Sequence, residues 1–225
     1  MVFTSSEVSF RSIWSRTFGV LRDNHLMVLL YLLVFAGGGT AVEIVTDEAR
    51  TGSPYGSLSA QVFLMLASVV GGYLLMAYML QRAGNASEAS VSGFFSYLAM
   101  TIVSSAGVLA GLAILLVPGL VLFMRWFIAA PVLIARGEGP IQALKSSWEL
   151  TRGYAITIFV AGIPASLLLF GFVVLVGRAV DGKTVVLALL MNATGEVFSV
   201  LSIAMAVAVF GLLDRASGDL GEIFA

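Results

Sequence analysis

The chain has 225 residues, of which 59% are hydrophobic and 11% charged, with 12 basic residues against 13 acidic ones and no cysteine. A water-soluble domain carries about 25% Asp, Glu, Lys and Arg, so this composition excludes a soluble globular protein. The net charge of −1 excludes nucleic-acid binding through a dense basic surface, and the missing cysteines exclude disulfides, thiolate metal sites and cysteine nucleophiles.

The predicted elements follow from apolar runs and their breaks. Over residues 9–23, Phe10, Ile13, Trp14, Thr17, Phe18 and Leu21 share one face at helical spacing while Arg11, Arg16 and Arg22 fall off it, which predicts an amphipathic helix lying along a membrane surface. Arginines before an apolar run also suit a signal peptide. The run Leu26–Val45 is nevertheless long enough to cross a bilayer at about 1.5 Å per residue, so it reads as a retained first span.

Five more spans follow: Gln61–Leu80, Leu98–Val117, Gly119–Ala135, Ala155–Gly177 and Thr194–Leu213. The third and fourth form one unbroken apolar stretch, divided by Pro118 and Gly119, a pair that predicts a tight turn or hinge because proline removes a donor and glycine admits positive φ. Before the third span, Val91, Phe94, Phe95 and Leu98 make a short amphipathic segment, either a surface helix or the start of that span. Over 140–152, Ile141, Leu144, Trp148 and Thr151 recur at helical spacing after Pro140, with Lys145 and Arg152 beside the stripe, predicting another surface helix. The expected fold is therefore an all-α, polytopic bundle of six transmembrane helices with two or three amphipathic helices on the cytoplasmic side, one membrane domain over 1–225.

The charges set the expected orientation. Arg11, Arg16, Arg22, Arg82, Arg136, Lys145, Arg152 and Arg215 fall on one side of the six-span arrangement, and Arg50, Arg178 and Lys183 on the other. That excess assigns the first side, with both termini, to the cytoplasm.

Candidate site residues are few. Arg125 is the one basic residue within an apolar span, seven residues after Pro118, about 10 Å below the outer surface by helical rise. Glu43 and Glu196 approach that depth from the first and sixth spans. An intramembrane cluster of Arg125, Glu43 and Glu196 reads either as a substrate or proton site, or as an ion pair that sets helix order. The lipid-interface candidates are Arg11, Trp14, Arg16, Phe18, Arg22, Lys145, Trp148 and Arg152. Small-residue pairs at four-residue spacing, Gly107 with Gly111 and Ala204 with Ala208, read as close helix packing within the bundle or between copies. Gly37, Gly38 and Gly39 read as close packing or a hinge. His25 is the sole histidine, and no nucleotide loop, zinc-protease motif or nucleophile elbow is present, so neither metal nor cofactor is expected.

The order Pro118-Gly119-Leu120, Arg125-Trp126, Pro131, then Ala143 through Gly153 (ALKSSWELTRG) resembles the six-helix membrane domain attached to some bacterial glycerophosphodiester phosphodiesterases and related stand-alone bacterial membrane proteins. The resemblance implies a bacterial inner-membrane protein. It implies no phosphodiesterase activity, because the catalytic domain of such fusions is soluble and has no counterpart here. The expected function is a non-catalytic accessory or scaffold protein that packs against a partner membrane complex, or against itself, and organises anionic lipid. The alternative is a small transporter or export helper built around Arg125.

Overall fold

A computed structural model of the chain describes residues 8–48, 54–85, 89–179 and 185–223, and within them every element is helical. Arg50 and Lys183 of the charge reading lie outside the described residues. The elements are α1 (Phe10–Asp23), α2 (His25–Glu48), α3 (Pro54–Arg82), α4 (Val91–Ile114), α5 (Leu116–Trp126), α6 (Ala129–Arg136), α7 (Pro140–Leu150), α8 (Ala155–Ala179) and α9 (Val185–Ile223). Among the described residues, six segments are long and apolar enough to cross a membrane: His25–Val45, Ser59–Arg82, Val91–Ile114, Leu116–Arg136, Ala155–Ala179 and Val185–Ser217. This is the all-α, multi-pass architecture that the composition requires.

The prolines explain where helices begin. Pro54 and Pro140 are the first residues of α3 and α7, and Pro118 and Pro131 are the third residues of α5 and α6. In a continuous helix Pro118 would leave the carbonyl of Ile114 without a donor and set its ring against it. The chain breaks at Leu115, in extended conformation with φ −156° and ψ 141°, and Pro118 then falls in a first turn that needs no amide. The turn between these helices is thus at Leu115 and not at Pro118 and Gly119, a correction to the expected hinge. Pro131 acts in the same way: the ladder breaks at Phe127 and Ile128, so the fourth apolar segment is two short helices.

Two other boundaries move. The serine-rich segment from Val91 is the first turn of α4, capped by Ser90, whose Oγ accepts a 3.0 Å bond from the Gly93 amide. Helix α9 starts at Val185, nine residues before the expected Thr194, because the polar side chains there serve their own helix: Thr194 Oγ1 donates to the Leu190 carbonyl at 2.6 Å and Asn192 Nδ2 to that of Ala188 at 3.0 Å.

The chain divides into two units. The first comprises residues 1–23, 76–162 and 203–225. Here α4 and α5 form an antiparallel hairpin held by glycines. A Cβ on Gly111 would stand 2.9 Å from the Cα of Gly119, and one on Gly107 2.6 Å from the Trp126 ring. Helix α6 is buried through Ala129 and Pro131 to Ile134. It ends at Gly137, whose φ of 62° lies in the left-handed region that glycine tolerates, and α7 then packs back against it. Helix α1 buries Ile13 and Thr17, and its Trp14 Nε1 donates to the Ala161 carbonyl at 3.1 Å, next to the Val160 carbonyl that Pro164 deprives of a helical donor. At its C-terminus Arg82 Nη1 donates to the Asp23 carbonyl at 2.8 Å.

The second unit comprises residues 24–75 and 163–202. Close packing there centres on Gly71, where a Cβ would lie 3.2 Å from the Tyr31 ring, and on Gly39, where it would lie 3.1 Å from Asn192 Oδ1. Helix α2 runs without a break through Gly37, Gly38 and Gly39. Gly39 therefore serves the close approach of Asn192 rather than a hinge.

Candidate functional site

A polar arrangement of the first unit lies where α7 meets the α5–α6 break. Helix α7 presents its small and hydroxyl residues inward: Ala143, Leu144, Ser146, Ser147 and the following Thr151 are buried, whereas Ile141, Lys145, Trp148, Glu149 and Arg152 are exposed. Of the four residues expected on the membrane-facing stripe, Ile141 and Trp148 are exposed and Leu144 and Thr151 are buried; the inward hydroxyls of Ser147 and Thr151 meet peptide backbone, which hydroxyls satisfy and large apolar side chains do not.

The backbone in question is that of Arg125. With the ladder broken at Phe127 and Ile128, its carbonyl accepts from Ser147 Oγ at 2.7 Å and lies 3.3 Å from Thr151 Oγ1, which itself donates to the Ser147 carbonyl at 2.8 Å. The Arg125 side chain turns to the same helix. Nη1 donates to the Trp148 carbonyl at 3.3 Å, and the guanidinium carbon lies 5.1 Å from the centre of the Trp148 ring, a cation–π distance. Arg125 and Trp148, expected near opposite faces of the membrane, are therefore in contact.

Glu43 and Glu196 belong to the second unit and Arg125 to the first. Around Glu43, Asn192 Nδ2 lies 3.4 Å from Glu43 Oε2 and 3.4 Å from Thr40 Oγ1, and the buried Thr40 donates to the Ala36 carbonyl at 2.8 Å. Glu196 takes a hydrogen bond from Tyr31. Asn192 precedes Glu196 by four residues, a spacing that sets both on one helical face.

Of the lipid-interface candidates, Arg11, Arg16, Phe18 and Arg22 are exposed on α1, and Lys145, Trp148 and Arg152 on α7 and just beyond it. Trp14 is half-buried and bonded to α8. The sequence reading missed an ion pair: Arg136 Nη2 meets Asp214 Oδ1 at 2.7 Å, with Glu138 Oε1 3.7 Å from Arg136 Nη1, tying the end of α6 to α9.

Two cavities flank these contacts within the first unit. One, of about 480 Å³, is an open groove lined by Tyr97, Met100, Ser104, Phe123, Trp126 and Phe127. Two of its hydroxyls bond their own helix, Thr101 to the Tyr97 carbonyl at 2.9 Å and Ser104 to that of Thr101 at 3.1 Å, and most of the remaining lining is aromatic or aliphatic. The other, of about 390 Å³, is lined by Arg136, Ser146, Glu149, Tyr154, Leu213 and Ser217. Its arginine is already committed to Asp214.

No protein-family model, curated protein or solved structure matches the chain.

Proposed function

We propose that this chain is a non-catalytic integral protein of a bacterial inner membrane, with both termini cytoplasmic, which packs against a partner membrane complex and organises anionic lipid around it. The supporting observation is the use made of Arg125. Arg125 interrupts an apolar segment, and here both its side chain and its carbonyl are spent on α7. Such a residue holds helices together. The outward basic rows of α1 and α7, Arg11, Arg16, Arg22, Lys145 and Arg152, then meet anionic headgroups, at about 1 kcal/mol for each well-placed charge. The likeness of residues 118–153 to the membrane domain of phosphodiesterase fusions agrees with an accessory role.

A transport reading draws on the polar set of Glu43, Asn192 and Thr40 inside apolar helices. The two readings separate experimentally. Protein extracted in patches of native membrane is expected to carry anionic phospholipid above its bulk fraction, and glutamine at the five basic positions to return that fraction to bulk. Equal lipid composition in both proteins, together with solute uptake by proteoliposomes that Glu43→Gln abolishes, would establish transport instead.

A further inference from the structure

The level of Arg125 bears on how far the α4–α5 hairpin reaches. Ser147 and Thr151, which meet the Arg125 carbonyl, are flanked by Lys145, Glu149, Arg152 and Gly153, all exposed. Exposed charges of both signs do not face hydrocarbon. Trp126, Trp148 and Tyr154 stand at the same junction, and such aromatic residues collect at the membrane–water boundary. The junction therefore marks that boundary.

From Arg125 to Leu116 is nine residues of α5, a rise of roughly 14 Å if the helix stands upright and less if it tilts, against a hydrocarbon core of about 30 Å. The tip itself has nothing to hold in water. Residues 106–124 carry no side chain able to form a hydrogen bond or bear a charge, and Ile114, Leu115, Leu116 and Val117 at the turn are 64–77% exposed. The α2–α3 and α8–α9 connections, by contrast, contain Arg50 and Asp181 with Lys183. The turn also leaves few amides open: Leu115 N donates to the Gly111 carbonyl at 3.0 Å and Pro118 has no amide to satisfy. The first half of α4 carries an exposed apolar stripe, Val91, Phe95, Ala99 and Ile102, bordered by Ser92 and Ser96, as suits a segment running obliquely through the headgroup region.

We propose that the α4–α5 hairpin does not cross the membrane: it is a re-entrant wedge, fixed at the boundary by the Arg125–Trp148 junction, whose apolar tip contacts acyl chains near the bilayer centre. The chain then crosses four times, through α2, α3, α8 and α9. The excess of basic residues on one side is unchanged, because a re-entrant hairpin returns to the face it left. The inference does not depend on the scaffold reading, since a wedge of this kind suits a transporter equally.

The absence of native cysteine makes single-cysteine labelling direct. In otherwise unchanged chains, Leu116→Cys, Arg50→Cys and Lys145→Cys are exposed to a membrane-impermeant maleimide in intact cells and in inverted vesicles. Arg50→Cys is expected to label from one face only and Lys145→Cys from the other, while Leu116→Cys labels from neither until detergent is added. A bimane on Leu116→Cys in vesicles is expected to be quenched several-fold more by phospholipid carrying a nitroxide at mid-chain than by one carrying it at the headgroup. Labelling of Leu116→Cys from the Arg50 face, or strongest quenching by headgroup nitroxide, would show a hairpin that crosses and would overturn the proposal. Leu116 is 66% exposed, so its replacement leaves the packing intact.

Discussion

The hydroxyl of Ser147 donates a 2.7 Å hydrogen bond to the main-chain carbonyl of Arg125, twenty-two residues earlier in the chain. This bond is made possible by a helix that stops one residue after Arg125, at Trp126, and restarts in time to place Pro131 in a first turn. A break in an apolar helix exposes a carbonyl, and in a low-dielectric setting such a group needs a donor. Helix α7 brings the donor, and with it the tryptophan on which the Arg125 guanidinium rests.

Ser147→Ala removes that donor and leaves a partly buried carbonyl with only the longer contact to Thr151. Leaving a buried acceptor unsatisfied costs about 1–3 kcal/mol, so thermal unfolding in detergent is expected several degrees lower. Thr151→Ser, which keeps the hydroxyl, serves as the control and is expected to change stability much less. An unchanged midpoint for Ser147→Ala would mean that the contact with α7 does not depend on this bond.

Glycine substitutions separate close packing from open space. A Cβ at Gly119 would lie 2.6 Å from the Leu112 backbone nitrogen, whereas one at Gly19 meets nothing within 4 Å. Gly119→Ala is expected to destabilise by about 1–3 kcal/mol, the usual cost of overpacking. Gly19→Ala lies inside α1 and is expected to stabilise by about 0.5–1 kcal/mol through reduced backbone freedom. Denaturant unfolding of the two variants should move in opposite directions.

The bond from Trp14 Nε1 to the Ala161 carbonyl predicts that α1 is docked rather than merely adsorbed. Trp14→Phe retains an aromatic ring and loses the donor, at a net cost of about 0.5–1.5 kcal/mol. Limited proteolysis is expected to cut within α1 faster in this variant. Arg11→Gln, which touches the outward face alone, is expected to leave the cleavage rate unchanged.

The Arg136–Asp214 pair has about a third of each side chain exposed, so solvent screens it. Such pairs contribute about 1 kcal/mol or less. A double-mutant cycle with Arg136→Gln and Asp214→Asn is expected to return a coupling energy in that range, and to lose it in molar salt. A coupling of several kcal/mol would show that the second cavity is drier than its exposure indicates.

By itself the sequence determined the solvent of this protein and the class of its elements. With so few charged residues and apolar runs recurring along the chain, helices are the structure that satisfies the backbone within one continuous segment, and α1, α2, α3 and α8 fall close to where composition put them. The arginine spacing on α1 was legible too, because amphipathicity is a local property. Tertiary structure decided what no local pattern contains. Thr151 read as one residue of a surface helix's stripe, and Ser147 stood out in no pattern, until the carbonyl of Arg125 gave both hydroxyls something to meet, and Gly119 read as part of a turn until Gly111 approached it. The partners of Glu43 and Glu196 depend likewise on which helices meet, since a side chain's role inside a membrane is set by the group placed opposite it across a distance the sequence does not record.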